Sequence, residues 1–118
     1  QGASAVAIAK KHGVKVTYGS DLLGSMRTRQ CEGFGLLLDA GLTPVEVLGA
    51  ATSVGAACLG ISAGALRAGL LADMVLLRTN PLNAKALREL GSEDVVAVWV
   101  GGKRADLRLS TADQRGST

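Results

Sequence analysis

The sequence has almost no aromatic residues, with one Trp, one Tyr and one Phe among its 118 residues. The hydrophobic fraction is nevertheless 47% and the mean hydropathy is +0.28, which excludes a disordered tail. The core must therefore be made of Ala, Val and Leu, which bury less area per residue than aromatic rings. Because a chain of this length with such a core is only marginally stable alone, we expect another surface to cover it.

Histidine and cysteine are also scarce. His12 is the only histidine, and its place beside the helix-stop residue Gly13 favours a solvated position over a catalytic one. Cys31 and Cys58 lack Cys-x-x-Cys spacing, so they indicate neither a zinc knuckle nor a disulfide framework. We expect free thiols in a reducing, cytoplasmic compartment. A serine hydrolase is excluded because no histidine can be placed beside Ser20 and the Gly-x-Ser-x-Gly motif is absent.

Clustered charge and long apolar runs are missing too. The net charge is +3, but the basic residues occur singly or in pairs such as Lys10-Lys11, without interleaved aromatic residues. This pattern argues against a nucleic-acid partner. No apolar run approaches the ~18 residues of a membrane span, and no signal peptide is visible, so we expect no membrane partner. Because Gln1 is not Met, we expect the chain to begin inside a longer reading frame.

The patterns that are present predict helices first and strands afterwards. Helical periods and helix-stop glycines predict helices over 3–12 and 28–40, and a third that starts at Pro44, breaks near Thr52-Ser53 and restarts over Val54–Leu59. Apolar and β-branched runs predict strands at 14–19, Met74–Leu77, Val95–Val100 and Lys103–Leu107, the last two joined by Gly101-Gly102. Residues 61–71 are predicted to be a loop, and Ala84–Leu90 a short helix or turn. The clearest local signal is Thr43-Pro44-Val45-Glu46, a reciprocal helix cap with proline at the first helical position.

One stretch, Val14–Gly24, looks built to present a functional group. Its first residues alternate between apolar and polar, and Asp21 falls just past the carboxyl end of the predicted strand. Ligands and catalytic groups collect at that end in helix–strand–helix proteins. Position alone favours a plainer role, in which Asp21 caps the next helix, because Asp is a preferred cap.

The remaining carboxylates have structural explanations. Glu46 is the predicted reciprocal cap, Glu32 and Asp39 lie on solvated helix faces, and Asp73 lies at a strand start. A metal site needs several convergent ligands, and Asp21 is the one credible contributor in this sequence. The glycines of Gly33-Phe34-Gly35 do not follow a strand as a phosphate loop would, and we assign them a structural role in the backbone rather than a role in ligand binding.

Taken in order, the motifs resemble the carboxyl-terminal third of a metal-dependent amidohydrolase, nearest to the imidazolonepropionase-like and Xaa-Pro-dipeptidase-like branch. The resemblance extends to about Asp106 and is carried by V-T-Y-G-S-D-L-L-G (16–24), the helical stretch 41–60, G-A-L-R-A-G-L-L-A-D-M-V-L-L (64–77), N-P-L (80–82) and V-W-V-G-G-K (98–103). The stretch Arg67–Asp73 departs from the family pattern because it lacks the usual proline and lysine.

The resemblance implies an α/β fold class, in which the last strand and helices of a (β/α)8 TIM barrel are followed by the C-terminal strands of a small β-sandwich, as an incomplete domain. Residues 1–60 would end the barrel, 61–109 would return to the sandwich, and 110–118 would be a polar tail. In that family the Gly-Ser-Asp after strand eight supplies a metal-binding aspartate that also acts as general base, and this role carries over to Asp21. The implied cofactor is a divalent metal, with zinc expected, and the implied partner is a small-molecule substrate.

The family's histidine ligands and its bridging lysine or carboxylate belong to earlier strands that this sequence does not contain. Two hypotheses follow. In the first, the chain is a fragment of a hydrolase that cleaves C–N bonds in cyclic amides, amides or dipeptide-like substrates, and is inactive alone. In the second, it is a stand-alone, non-catalytic interaction or assembly module whose exposed apolar faces drive oligomerisation. For the chain itself, we expect a homo-oligomer or association with the missing barrel portion.

Overall fold

The chain forms a helical part followed by a small antiparallel sheet. The computed structural model describes residues 2–106. Its helices are α1 (Gly2–Lys11), α2 (Glu32–Asp39), α3 (Pro44–Ala51), α4 (Ser53–Leu59) and α5 (Ala84–Arg88), with short 3₁₀ helices at Gly24–Arg29 and Ser92–Asp94. Its strands are β1 (Met74–Leu77), β2 (Val95–Val100) and β3 (Lys103–Arg104). The predicted tail 110–118, and Leu107 of the predicted last strand, lie outside the described residues.

The predicted start of α3 is confirmed. The Thr43 hydroxyl accepts a hydrogen bond from the Glu46 amide at 3.3 Å, and the Glu46 carboxylate accepts one from the Thr43 amide at 2.7 Å. Pro44 occupies the first helical position, where no amide hydrogen is needed. Lys10 of α1 adds an ion pair, with its Nζ 2.8 Å from Glu46 Oε2 and 2.7 Å from the Gly41 carbonyl oxygen. The cap therefore also joins α1 to α3.

The predicted break between α3 and α4 is also confirmed. Thr52 has non-helical φ and ψ of −130° and −95°, and its hydroxyl donates to the Leu48 carbonyl at 2.6 Å. A threonine hydroxyl that bonds back to the preceding turn competes with the helical ladder. Helix α4 ends at Leu59, and its C-cap Gly60 has a positive φ of 68°.

Helix α2 starts later than the predicted residue 28. The Phe34 amide donates to the Cys31 carbonyl at 3.0 Å, a spacing of three residues, whereas the Gln30 carbonyl accepts from the Tyr18 hydroxyl. The backbone hydrogen bonds of an α-helix, which join residues four apart, therefore begin only after Gln30. The residues before this point form the separate 3₁₀ helix Gly24–Arg29.

The sheet has the order β1-β2-β3, with both pairs antiparallel. The predicted hairpin turn is confirmed, because Val100 pairs with Lys103 around Gly101 and Gly102, whose φ angles are +56° and +79°. Two positive φ angles are the requirement of a tight two-residue turn between twisted strands. The second strand of the hairpin is shorter than predicted, since β3 ends at Arg104 and Ala105 and Asp106 are not in a strand. The Asp73 carboxylate accepts from the Gly101 amide at 2.7 Å and so ties the turn to the start of β1.

The strand predicted over residues 14–19 does not form. This part of the chain has no regular secondary structure, and none of the three strands of the described sheet pairs with it. A strand needs a neighbour to satisfy its backbone amide and carbonyl groups. The alternating pattern was therefore a correct sign of an extended, half-buried segment, but a wrong prediction of a β-ladder within these residues.

The hydrophobic core is small and lies between the helices. Leu42, Val47 and Leu87 form its buried centre, surrounded by partly buried neighbours from α1, α2, α3 and the loop after α5, namely Val6, Phe34, Leu37, Leu38, Leu48 and Leu90. Many large apolar side chains remain exposed, among them Leu23, Leu59 and Leu66. No helix within residues 2–106 is both long and apolar enough to cross a membrane.

The core centre gives a direct test of this packing. Leu87 is 0% exposed and Leu66 is 82% exposed. We expect Leu87→Ala to lower the free energy of unfolding by about 2–5 kcal/mol, because it leaves a cavity between α2, α3 and α5. Leu66→Ala is the matched control and should change it by less than about 0.5 kcal/mol. Urea unfolding of the two variants measures both values, and equal losses would contradict the assigned core.

The Lys10–Glu46–Thr43 contacts predict a pH dependence. Hydrogen bonds from Lys10 and then from Thr43 lower the pKa of Glu46 to about 2 from its ordinary value of 4.5. A lowered pKa in the folded state stabilises the fold above pH 4.5, and this contribution is lost as the pH falls towards 2. Unfolding from pH 6 to pH 2 should therefore show a stability difference between wild type and Glu46→Gln that shrinks below pH 4.5. A difference that is constant with pH would contradict it.

Candidate functional site

Asp21 lies in the irregular segment of residues 14–23, between α1 and the first 3₁₀ helix. Its side chain is exposed, and its φ is +51°, which makes it the one non-glycine residue of the described chain with a positive φ. This left-handed conformation is uncommon for residues with a side chain, although Asp tolerates it better than most. The backbone therefore turns sharply at Asp21 and exposes the carboxylate.

The capping role considered for Asp21 is not observed. The 3₁₀ helix that follows begins at Gly24, its N-cap is Leu23, and no side chain caps it by a hydrogen bond. Within residues 2–106, no hydrogen bond or ion pair involves the Asp21 carboxylate. Both of its oxygens are thus available to a substrate, a metal or a reacting water.

Tyr18 holds the segment that carries Asp21. Its amide donates to the Ala50 carbonyl near the end of α3 at 3.0 Å, and its hydroxyl donates to the Gln30 carbonyl just before α2. Its ring packs against Phe34, with centroids 5.0 Å apart and an interplanar angle of 50°. Burial, with a smaller contribution from Cys31, raises the pKa of Tyr18. The hydroxyl therefore remains a protonated donor over the physiological pH range.

Gly33 makes room for the Tyr18 ring. A Cβ atom at Gly33 would lie only 2.5 Å from Tyr18 Cε2 and 2.8 Å from Cζ, which is closer than real Cβ contacts allow. Gly33 lies inside α2, and from the sequence we assigned it only a structural role in the backbone. The sequence analysis therefore did not identify Tyr18 and Gly33 as part of the site. The available signal was a glycine inside an apolar helical period, where glycine is disfavoured unless another group approaches closely.

The other carboxylates have the structural roles expected of them. Glu32 pairs with Arg29, with Arg29 Nε 2.7 Å from Glu32 Oε1, and Asp39 pairs with Arg88, with Arg88 Nη2 2.9 Å from Asp39 Oδ1. The pKa of Glu32 is lowered, first by its hydrogen bond with Arg29. Asp73 braces the β2–β3 turn. None of them lies on the segment that carries Asp21.

The residues needed to enclose a metal are not assembled in the described part of the chain. No group of three or more His, Cys, Asp and Glu side chains in it could hold an ion. His12 is exposed beyond the end of α1, and the Cys31 and Cys58 thiols are free. Burial, aided by the charges of Glu93 and Asp94, raises the pKa of Cys31, which makes it a weaker nucleophile. Asp21 could serve a metal ion as one carboxylate ligand, but the described residues do not provide the further ligands that would complete a metal site.

Two apolar grooves lie beside the segment. One, of about 310 Å³, is lined by Val14, Val16 and Val45, and the other, of about 470 Å³, by Tyr18 and Trp99 among others. Asp21 lines neither groove. These grooves therefore do not place a substrate at the carboxylate.

The described residues form a mixed α/β domain, in which helices are followed by a small antiparallel sheet and the Asp21 carboxylate lies on a loop between helices. Comparison with known families gives the particular family. The model of the amidohydrolase family matches residues 1–105. The chain therefore belongs to the amidohydrolase family, as its motifs indicated.

Solved structures agree with this assignment. A crystal structure described as an amidohydrolase is 34% identical with a TM-score of 0.80 over 88% of this chain. A structure described as a prolidase complexed with N-methylphosphonate-L-proline is 31% identical with a TM-score of 0.79 over the same share. The chain spans 25% and 26% of the lengths of these two structures, or about a quarter. No curated protein matches it.

The positive φ of Asp21 predicts an ordering of stabilities among its variants. Glycine adopts this conformation without strain, whereas alanine carries a Cβ penalty. We expect Asp21→Ala to be less stable than Asp21→Gly by about 1 kcal/mol, even though Ala is otherwise the less flexible residue in the unfolded chain. Thermal unfolding of the two variants measures the difference. An Asp21→Ala variant that is the more stable of the two would contradict the left-handed conformation.

Proposed function

We propose that this chain is the carboxyl-terminal portion of a metal-dependent hydrolase that cleaves C–N bonds, and that Asp21 is its general base. The observation that carries the proposal is the Asp21 carboxylate itself, which is exposed, unengaged by described residues and held on a sharp backbone turn. It belongs to the Gly19-Ser20-Asp21 motif that amidohydrolases use after their last barrel strand. Membership of the amidohydrolase family supports this role.

In the proposed reaction, the Asp21 carboxylate accepts a proton from the water that attacks the substrate carbonyl. A general base must lie within hydrogen-bond reach of that water, and a carboxylate without internal partners is free to do so. The divalent metal, with zinc expected, would act as a Lewis acid and lower the pKa of the attacking water. Its remaining ligands would come from outside this chain, since the described residues supply one candidate ligand.

The substrate class follows from chemistry and from the relatives. The reaction is hydrolysis of an amide-type C–N bond in a cyclic amide, an amide or a dipeptide-like molecule. A dipeptide-like substrate is supported by the similarity to the structure described as a prolidase, which was crystallised with a phosphonate derivative of proline. The grooves do not narrow this choice, because Asp21 lines neither of them.

We further propose that residues 14–19 become the last barrel strand when the rest of the polypeptide is present, that residues 1–60 end the barrel, and that 61–109 complete a small sandwich. Two features support this arrangement. The 14–19 stretch alternates as a strand does but has no neighbour among the described strands. Large apolar side chains on both parts, such as Val14 and Val75, are exposed and would be covered by the remaining strands and helices.

A second candidate function is a non-catalytic module that self-associates through the same apolar surface. The exposure of Leu23, Leu59 and Leu66 favours it. Light scattering of the 118-residue chain measures whether this surface makes it a homo-oligomer or leaves it a monomer. A homo-oligomer with no hydrolase activity in the full reading frame would support the module, and a stable monomer would contradict it.

The catalytic role predicts that replacing one carboxylate oxygen of Asp21 by an amide nitrogen has a large effect on activity. In the full-length hydrolase, we expect Asp21→Asn to lower kcat by about 10²–10⁴-fold with little change in KM, because the amide cannot accept the proton. Asp39→Asn is the matched control, since Asp39 is an exposed carboxylate paired with Arg88, and it should leave kcat unchanged. Full activity of Asp21→Asn, or hydrolysis by the 118-residue chain alone, would contradict the proposal.

A further inference from the structure

Resting on the proposed role of Asp21, we propose that Tyr18 is a positioning residue that holds the Asp21 turn through its contact with Gly33 of α2. The segment of residues 14–23 has no β-ladder among the described strands. The strand pairing proposed above for residues 14–19 in the full-length protein would stop before Asp21, so the turn at Asp21 still depends on hydrogen bonds and side-chain contacts to the helices. Tyr18 lies three residues before Asp21, at most ~10 Å along the chain.

Tyr18 connects the segment to two helices at once. Its amide donates to the Ala50 carbonyl of α3 at 3.0 Å, and its hydroxyl donates to the Gln30 carbonyl, two residues before α2. Its ring also contacts Phe34 of α2. A residue fixed at its backbone, its ring and its hydroxyl restricts both the direction and the rotation of the chain that leaves it.

The Gly33 contact gives this arrangement a requirement for glycine. Gly33 lies within α2 and has no positive φ, so its backbone does not itself need glycine. Glycine weakens a helix relative to alanine. Here the missing Cβ is what lets the Tyr18 ring approach, because that atom would lie 2.5 Å from Cε2 and 2.8 Å from Cζ. Alanine at this position would displace the ring, and the Asp21 turn with it.

Helix α2 also provides a matched control. A Cβ at Gly35 would lie 3.5 Å from Arg88 Cγ, which is an ordinary van der Waals distance. Gly33→Ala and Gly35→Ala make the same chemical change in the same helix, with the same gain in helix propensity. The two variants differ in whether the new methyl group meets Tyr18.

The experiment compares kcat, KM and metal retention in the full-length hydrolase. Gly33→Ala should lower kcat by ~10–100-fold at nearly constant KM, since small displacements of a catalytic group have effects of this size. It should also lose its metal at a lower chelator concentration than Gly35→Ala. Gly35→Ala should remain within about twofold of wild type in kcat. In a Tyr18→Leu background, where the ring is absent, Gly33→Ala should have no further effect.

Tyr18→Phe tests the hydroxyl without any added volume. It keeps the ring beside Phe34 and removes the bond to the Gln30 carbonyl, so kcat should fall about fivefold, as expected for one hydrogen bond. This variant also keeps the test decisive if Gly33→Ala does not fold.

Several results would overturn the inference. Equal kcat values for Gly33→Ala and Gly35→Ala, or wild-type kcat for Tyr18→Phe, would reduce Tyr18 to an ordinary packing residue. A loss of thermal stability with kcat unchanged per folded molecule would do the same. If Asp21→Asn loses activity while these variants keep it, only the inference fails, whereas a fully active Asp21→Asn refutes the proposed function and the inference together.

Discussion

The structure depends on how a strand-like segment is held when it has no strand beside it. Residues 14–23 join no β-ladder within the described part of the chain, and Tyr18 bonds to the Ala50 carbonyl of α3 and to the Gln30 carbonyl before α2. The Gln30 carbonyl that accepts from Tyr18 lies just before the first residue of α2, Glu32. One aromatic side chain thus bonds close to the start of a helix and lies three residues before the Asp21 turn.

The composition of the chain explains its exposed surface. With so few aromatic residues, the largest buried side chains of the described core are those of Leu42, Val47 and Leu87, and polar contacts between elements become more important. Lys10 with Glu46 joins α1 to α3, and Arg88 with Asp39 joins α5 to α2. These exposed pairs orient the helices but cannot replace apolar burial. A family member that spans about a quarter of related structures is expected to have this combination of a small core and uncovered apolar side chains.

The Asp21 carboxylate differs from four others in its contacts. Glu46, Asp39, Glu32 and Asp73 each have a partner that explains their presence, whether an amide or a basic side chain. Asp21 has none among described residues and occupies a conformation that other side chains avoid. A strained backbone conformation at an exposed acidic residue is the observation that supports the role proposed for Asp21.

The sequence by itself determined the local features. The Thr43–Glu46 cap, the break at Thr52, the Gly101-Gly102 turn and the family motif that contains Asp21 all depend on neighbouring residues, so short-range rules were sufficient to predict them. Only the tertiary structure decided the features that depend on distant residues. It decided that residues 14–19 form no ladder, because a strand requires a neighbour from elsewhere in the chain. It also decided that Gly33 serves the Tyr18 ring, because that contact joins residues brought together only by folding.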